Sequence, residues 1–328
     1  MARYVLTAID TTHIQSYVFG SNKLKENIGG SELVELATHR WVYEALPPNH
    51  NVVDLSTGQL DAEKMIGQVD AEVVYVGGGN AVILFRTIDL ATALTRRLTL
   101  RILRDAPGLD ILVVHREFDW NSDSLAEVVH STLNDDLARK KQARTPSLPV
   151  LGLGVTASCN STGLVATEVV DKRLASREIL AKVSGNIQDS ARGRLRGLLP
   201  RRITEGGWTT SDDFDKLGRI KGEEGYIAIV HADGNGMGKR VERIARQHGS
   251  PEKNRTYIEK MRALSEAINI ASMRTLRRVV NLMADAIVSD AELAAIHRGG
   301  FPLRPIVFGG DDVTFVCNGR YGLPLAAY

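Results

Sequence analysis

The sequence predicts an α+β fold built twice: two tandem ferredoxin-like units, each an antiparallel sheet with helices on one face, joined by a partly helical connector. Three observations carry that prediction. The segments "VYVGGGNAVILF" (74–85) and "IVFGGDDVTFVC" (306–317) align residue for residue apart from Gly78, Gly79 and Asn80, and each reads as two apolar strands around a glycine turn. Each lies downstream of an apolar strand that ends at an aspartate, Asp10 in the first half and Asp233 in the second. Segments of helical period separate strand from hairpin in both halves. Self-similarity of this kind within one chain is the mark of a repeated architecture.

Element by element, Tyr4 to Ile9 is an apolar strand and Asp10 to His13 a polar turn. Leu33, Leu36, Ala37 and Val42 fall at helical spacing, predicting a helix over Ser31 to Ala45 that Pro47 and Pro48 stop. The hairpin turning on Gly77 to Asn80 follows. A helix from Leu90 to Arg104, a strand from Leu109 to Val114 and a polar helix from Ser124 to Arg144 complete the first set. "LPVLGLGVTASCN" (148–160) reads as a further apolar strand.

The stretch from Ser176 to Arg219 is irregular and partly basic. Its arginines Arg192, Arg194, Arg196, Arg201 and Arg202 read as a solvated helix face. The second half then begins again, with a strand over Tyr226 to His231, the turn "ADGNGMG", and a helix from Gly238 to Gln247. A longer helix over Lys253 to Val288, interrupted once, precedes the second hairpin. The predicted divisions are 1–170 for the first unit, 171–222 for the connector and 223–328 for the second unit. After Cys317 the repeat predicts another helix and a final strand, of which "GLPLAAY" supplies only a beginning. An open sheet edge is a liability, so the second unit is expected to be truncated here and the chain to be a fragment of a longer protein.

Composition sets bounds. Hydrophobic residues make up 43% and charged residues 24%, ordinary for a folded chain and unlike a disordered one. Because 41 basic and 39 acidic residues nearly cancel, no global attraction to nucleic acid or membrane follows. No apolar run reaches membrane-spanning length and no signal peptide opens the chain, which predicts a cytoplasmic protein. Cys159 and Cys317 are too few for a disulfide framework and read as buried, inert thiols.

The acids carry the chemistry. If the strand before Asp233 lies beside the second hairpin, Asp233, Asp311 and Asp312 converge at one sheet edge. Three unpaired carboxylates would raise one another's proton affinity, and a hard divalent cation relieves the repulsion. That set predicts two ions, Mg²⁺ or Mn²⁺, for phosphoryl or nucleotidyl transfer. Gly309 and Gly310 allow close approach of a substrate. Gly234, Asn235, Gly236, Met237, Gly238 and Lys239, at a helix start, are candidates for holding a triphosphate. Ser265 and Asn269, one turn apart on the long helix, are weaker candidates for contacting a base. Either motif alone would read as a tight turn. Asp10, Gly78, Gly79 and Asn80 mark the equivalent edge of the first half, a non-catalytic twin.

The segments "HADGNGMG", "VFGGDDVTFV", "AIDTTHIQSYVFGSNKLKENIGGSELV" and "LPVLGLGVTASCNSTGLVA" together resemble the large polymerase/cyclase-like subunit of type III CRISPR effector complexes, across nearly the entire chain. The resemblance implies two Palm domains, a fold shared with nucleotide cyclases and GGDEF domains. It also implies ATP as the substrate for cyclic oligoadenylate second messengers in antiviral defence, and catalytic metal binding by Asp233, Asp311 and Asp312. Other effector subunits and guide or target RNA are the partners it implies, while a homo-oligomer stays open. The sequence lacks the His-Asp dipeptide of the family's nuclease domain, the paired cysteines of its zinc ribbon and its C-terminal helical domain, so a stand-alone or divergent member fits as well. A catalytically silent nucleotide-binding or scaffold subunit, or a templated polymerase, are the alternatives.

Overall fold

The computed structural model describes residues 2–143, 152–218, 225–297 and 299–328. The fold is α+β with antiparallel principal sheets. Two compact units emerge, and neither is continuous in sequence. The first comprises Met1–Tyr17, Val34–Leu153 and Asn235–Ala267; the second comprises Val18–Leu33, Gly154–Gly234 and Ile268–Tyr328.

The first unit holds strands β1 (Arg3–Thr12), β2 (Ala71–Gly77), β3 (Asn80–Phe85) and β4 (Asp110–Asp119) in the order β2-β3-β1-β4. Val5 to Ile9 are all buried, so this central strand is covered on both faces. The expectation of helices on one face is corrected accordingly. On one side, Thr7 Oγ1 lies 2.9 Å from His115 Nδ1, whose Nε2 lies 3.2 Å from Thr95 Oγ1 on the Ile88–Asp105 helix. On the other, Leu6, Val74, Val82 and Leu84 pack with Leu125, Val129, Tyr257, Ile258 and Met261.

Side-chain caps open two of the first unit's helices. Thr87 caps Ile88–Asp105 by accepting the Leu90 N–H, and Ala91, Leu94, Leu98 and Ile102 bury one stripe. Ser124 caps Leu125–Ser131 through the Glu127 N–H. That helix continues through a wider turn, Thr132–Asp136, into Leu137–Ala143; Arg144 lies outside the described residues. Glu72, fully buried, accepts from the Ile66 N–H and pairs with Arg255 and Arg262, anchoring the start of the Asn254–Ser289 helix on β2.

In the second unit β5 (Ile227–Ala232), β6 (Leu303–Gly309) and β7 (Asp312–Asn318) lie in the order β5-β7-β6. Val313, Phe315 and Cys317 of β7 pack on Leu276, Val279, Val280, Met283 and Ile287 of the long helix. That helix runs 36 residues without the expected interruption.

Three further expectations are corrected. The helix predicted from Ser31 begins at Leu24, ends at Thr38 and resumes as Arg40–Glu44. Gly29 and Gly30 disguise its first turns by lowering propensity. Gly29 is there for space: a Cβ on it would stand 1.8 Å from the Lys182 carbonyl oxygen. The predicted strand over 148–160 lies outside the described residues up to 151. Beyond that it forms turns with a single bridge, Ser158 to Val165. Of the connector's arginines, Arg194 and Arg202 are not solvated bystanders. Arg202 pairs with Asp285 at 2.8 Å, and Arg194 with buried Glu32 at 2.8 Å.

Candidate metal centre

Register builds the site. Gly309 pairs with Asp312 across a two-residue turn, Gly310–Asp311, in which Gly310 takes φ +65°. Only glycine adopts that conformation at little cost. On the other side of β7, Ala232 pairs with Val313, so Asp233, one residue beyond, comes to rest beside Asp312. Carboxylate oxygens of Asp233, Asp311 and Asp312 lie within 4.8 Å of one another, with Asp233 exposed and the other two half-buried. The convergence expected from the sequence is present.

The electrostatics agree with the geometry. Burial raises the proton affinity of Asp312 above the usual carboxylate range. A hydrogen bond with Asp233 and the charges of Asp311 and Asp233 add to the shift, and His231 opposes it. His231 Nδ1 lies 2.8 Å from Thr314 Oγ1. His231 sits two residues before Asp233 and so projects from the same face of β5. Sequence reasoning passed over this histidine, although its alternation with Asp233 was a usable signal. A donor set of three clustered carboxylates, whose mutual repulsion a cation would relieve, fits a hard divalent ion.

The remaining candidates distribute as follows. Gly309 ends β6 and Gly310 opens the turn directly before Asp311, while Gly234 follows Asp233 directly. Asn235 and Gly236, the latter at φ +73°, lead into the Met237–Gln247 helix, where Gly238 and Lys239 are exposed and Met237 is half-buried. Ser265 lies close to Gly77 of the first hairpin, since a Cβ on that glycine would stand 3.6 Å from its Oγ. Asn269 is exposed, one turn further on.

The first hairpin repeats the second in detail. Gly77 pairs with Asn80 as Gly309 pairs with Asp312. The β2 strand breaks register between Val73 and Tyr75, and β6 breaks it at the matching place, between Pro305 and Val307. Asp10 stands opposite Asn80. In this half Lys141 Nζ lies 2.6 Å from Asp10 Oδ2, so an ammonium supplies the positive charge. Gly78 and Gly79 take φ +60° and +84°.

The two cysteines differ. Burial pushes the Cys317 thiol up to about 11, in keeping with an inert core residue. Cys159 is also buried, which opposes ionisation. The Thr162 hydroxyl and the backbone N–H groups of Thr162, Ser161 and Ser176 outweigh that and bring it down to about 7. Both thiols are buried, as expected, and only Cys159 is held below the ordinary thiol range.

The chain is thus an α+β protein with a three-carboxylate cluster at the tip of a duplicated hairpin. Its similarity to solved structures is to the Csm1–Csm4 cassette. The cassette in complex with pppApA matches at TM-score 0.52 and 16% identity, over 99% of this chain and 46% of the matched one. The cassette in complex with cA4 matches at 0.51 and 16%, over 99% and 46%. The Csm1–Csm4 subcomplex in the type III-A CRISPR-Csm interference complex matches at 0.51 and 14%, over 99% and 47%. At these identities the likeness is one of fold, and at that level it bears out the resemblance read from the motifs. The chain spans a little under half the length of the solved chains it matches. No family model matches it, and no curated protein matches it in sequence. Among the described residues, no helix is long and apolar enough to cross a membrane.

Proposed function

We propose that the protein is a metal-dependent nucleotidyltransferase that joins ATP into cyclic or linear oligoadenylate, or a cyclic dinucleotide, with release of pyrophosphate. The observation that carries this is the convergence of Asp233, Asp311 and Asp312 at the ends of two neighbouring strands. Similarity to cassettes solved with ATP, pppApA and cA4 supports an adenine nucleotide as the ligand. In this reading the chain comprises two tandem Palm domains, a degenerate one over 1–170 and a catalytic one over 223–328, with a connector over 171–222. It works in the cytoplasm in CRISPR-type antiviral defence, with other effector subunits and RNA as partners.

Asp233, Asp311 and Asp312 would hold two Mg²⁺ or Mn²⁺ ions. Such ions, when bound, supply neutralisation of triphosphate charge and a lowered pKa for an attacking hydroxyl. The chain's own contribution is to present the three carboxylates together and to keep the Gly309–Gly310 turn free of side chains. Gly234, directly after Asp233, is assigned to the phosphates, and Asn269 to the base. In the first half Lys141 neutralises Asp10, which accounts for that edge lacking the chemistry.

The test is incubation of the protein with each nucleoside triphosphate and Mn²⁺, with and without RNA, and mass analysis of the products. Oligoadenylate and pyrophosphate are expected, and Asp312→Ala should lower the rate about 100-fold or more. ATP binding without pyrophosphate release would identify a silent nucleotide-binding subunit and refute turnover.

A further inference from the structure

We propose that Arg194 is the positioning residue of the acidic hairpin, and that it is itself held by Glu32 from the N-terminal segment. The inference rests on the reading of Asp311 and Asp312 as metal ligands. Four contacts within the second unit carry it. Arg194 Nη2 donates to the Phe308 carbonyl at 2.9 Å, and its guanidinium lies 4.3 Å over the Phe308 ring. Phe308 immediately precedes the Gly309–Asp312 hairpin. Arg194 Nη1 donates to Glu32 Oε2 at 2.8 Å, and Ser190 Oγ, one helical turn earlier, donates to Glu32 Oε1 at 2.6 Å.

Each contact has a reason to be rigid. Glu32 is 2% exposed, so its charge must be met by donors, and Ser190 and Arg194 meet it from one helix face. With Glu32 fixed, the planar guanidinium cannot rotate without losing a charge-assisted bond. Its second edge is thereby aimed at a backbone carbonyl in β6. The helix that carries Glu32 is close-packed against the same connector. Gln188 Nε2 donates to both the Lys25 and Lys182 carbonyls, and Gly29 admits the Lys182 carbonyl where no Cβ would fit.

β6 lies at the edge of its three-stranded sheet, and a turn entered through Gly309 and Gly310 would otherwise let Asp311 drift. Pairing with β7 holds Phe308 against Val313 and Gly309 against Asp312 from one side only, so the outer side of β6 is steadied by what grips Phe308. Arg194 grips both its main chain and its ring. The matched position in the first hairpin is Val76, which offers no ring for a guanidinium, and Lys141 there answers the acid directly.

The experiment uses the full chain and two variants. Arg194→Lys keeps the charge but has no fork with which to serve Glu32 and Phe308 together. Arg194→Met with Glu32→Leu leaves no buried charge behind, so loss of folding does not obscure the result. Hydrogen exchange is followed over residues 306–314 without metal, and Mn²⁺ binding is titrated by electron paramagnetic resonance. In both variants, exchange in this peptide is expected to be about 10-fold faster. Mn²⁺ affinity is expected to fall about 10-fold, the scale on which residues that orient metal ligands act. Exchange and Mn²⁺ binding like the wild type in both variants would overturn the proposal. If wild-type Mn²⁺ binding proves insensitive to Asp311→Asn with Asp312→Asn, it is the metal reading that falls. The exchange measurement then still decides whether Arg194 holds the hairpin.

Discussion

Asp312 is the residue at which chemistry and stability pull against each other. Burial, the hydrogen bond to Asp233 and the neighbouring charges raise its proton affinity in the folded chain. A carboxyl whose folded pKa lies above its unfolded value stabilises the fold while it keeps its proton, and loses that contribution as pH rises through the folded value. At pH 7 without metal, Asp312→Asn should therefore melt a few degrees above the wild type, with the difference closing as pH falls toward 4. Mn²⁺ should raise the wild-type melting temperature and leave the variant where it is, since only a cation-binding native state gains from the ion. Equal melting temperatures at pH 7 in chelator would show that the carboxylates carry no mutual strain. These three acids were legible in the sequence because they lie beside glycines at the ends of apolar strands. The ion pairs that fix the surroundings were not. Arg194 and Glu32 are 162 residues apart, and Lys141 and Asp10 are 131 apart, distances over which no local pattern carries information.

Among the elements, the hairpins and the capped helices could be read closely, because turn glycines, Thr87 and Ser124 act on their immediate neighbours. The N-terminal helix could not, since its glycines answer to packing rather than to propensity. Two glycines in neighbouring helices make that distinction measurable. Gly29→Ala would drive a methyl to 1.8 Å from the Lys182 carbonyl oxygen, a backbone atom that cannot swing aside. A loss of about 1–3 kcal/mol or more is expected, the range for forcing atoms into a filled core. Gly193→Ala, within the Gly185–Arg196 helix, meets nothing within 4 Å. It should stabilise by about 0.5–1 kcal/mol through helix propensity and a less flexible unfolded chain. Thermal and urea unfolding check both signs. A neutral Gly29→Ala would mean that the two helices are free to separate, and would weaken the case that Glu32 is held in place.

At the scale of the whole molecule, chain order and packing order part company. The repeated hairpins follow one another along the sequence, yet each compact unit collects segments from both halves. One face of the first sheet is covered by Leu125 and Val129 together with residues from beyond position 235. Tyr257, Ile258 and Met261 are each 4% exposed or less in that core, with Val241, Ile244 and Ala245 packed against it. Burying large apolar side chains contributes about 1.5–3 kcal/mol each, so these three alone are comparable with the 5–15 kcal/mol that stabilises a typical domain. Glu72 adds an electrostatic reason. Without Arg255 and Arg262 its buried carboxylate would keep only the Ile66 N–H, and leaving a buried charge unpaired costs about 3–5 kcal/mol. A fragment ending at residue 170 holds all four strands of the first sheet but none of the cover from beyond position 235. It should therefore behave as a collapsed chain that binds hydrophobic dye and unfolds without a cooperative transition. Co-expression with residues 235–267 should restore a sigmoidal melt and suppress dye binding. A cooperative transition in the 1–170 fragment alone would show that the sheet needs no covering from the second half of the chain.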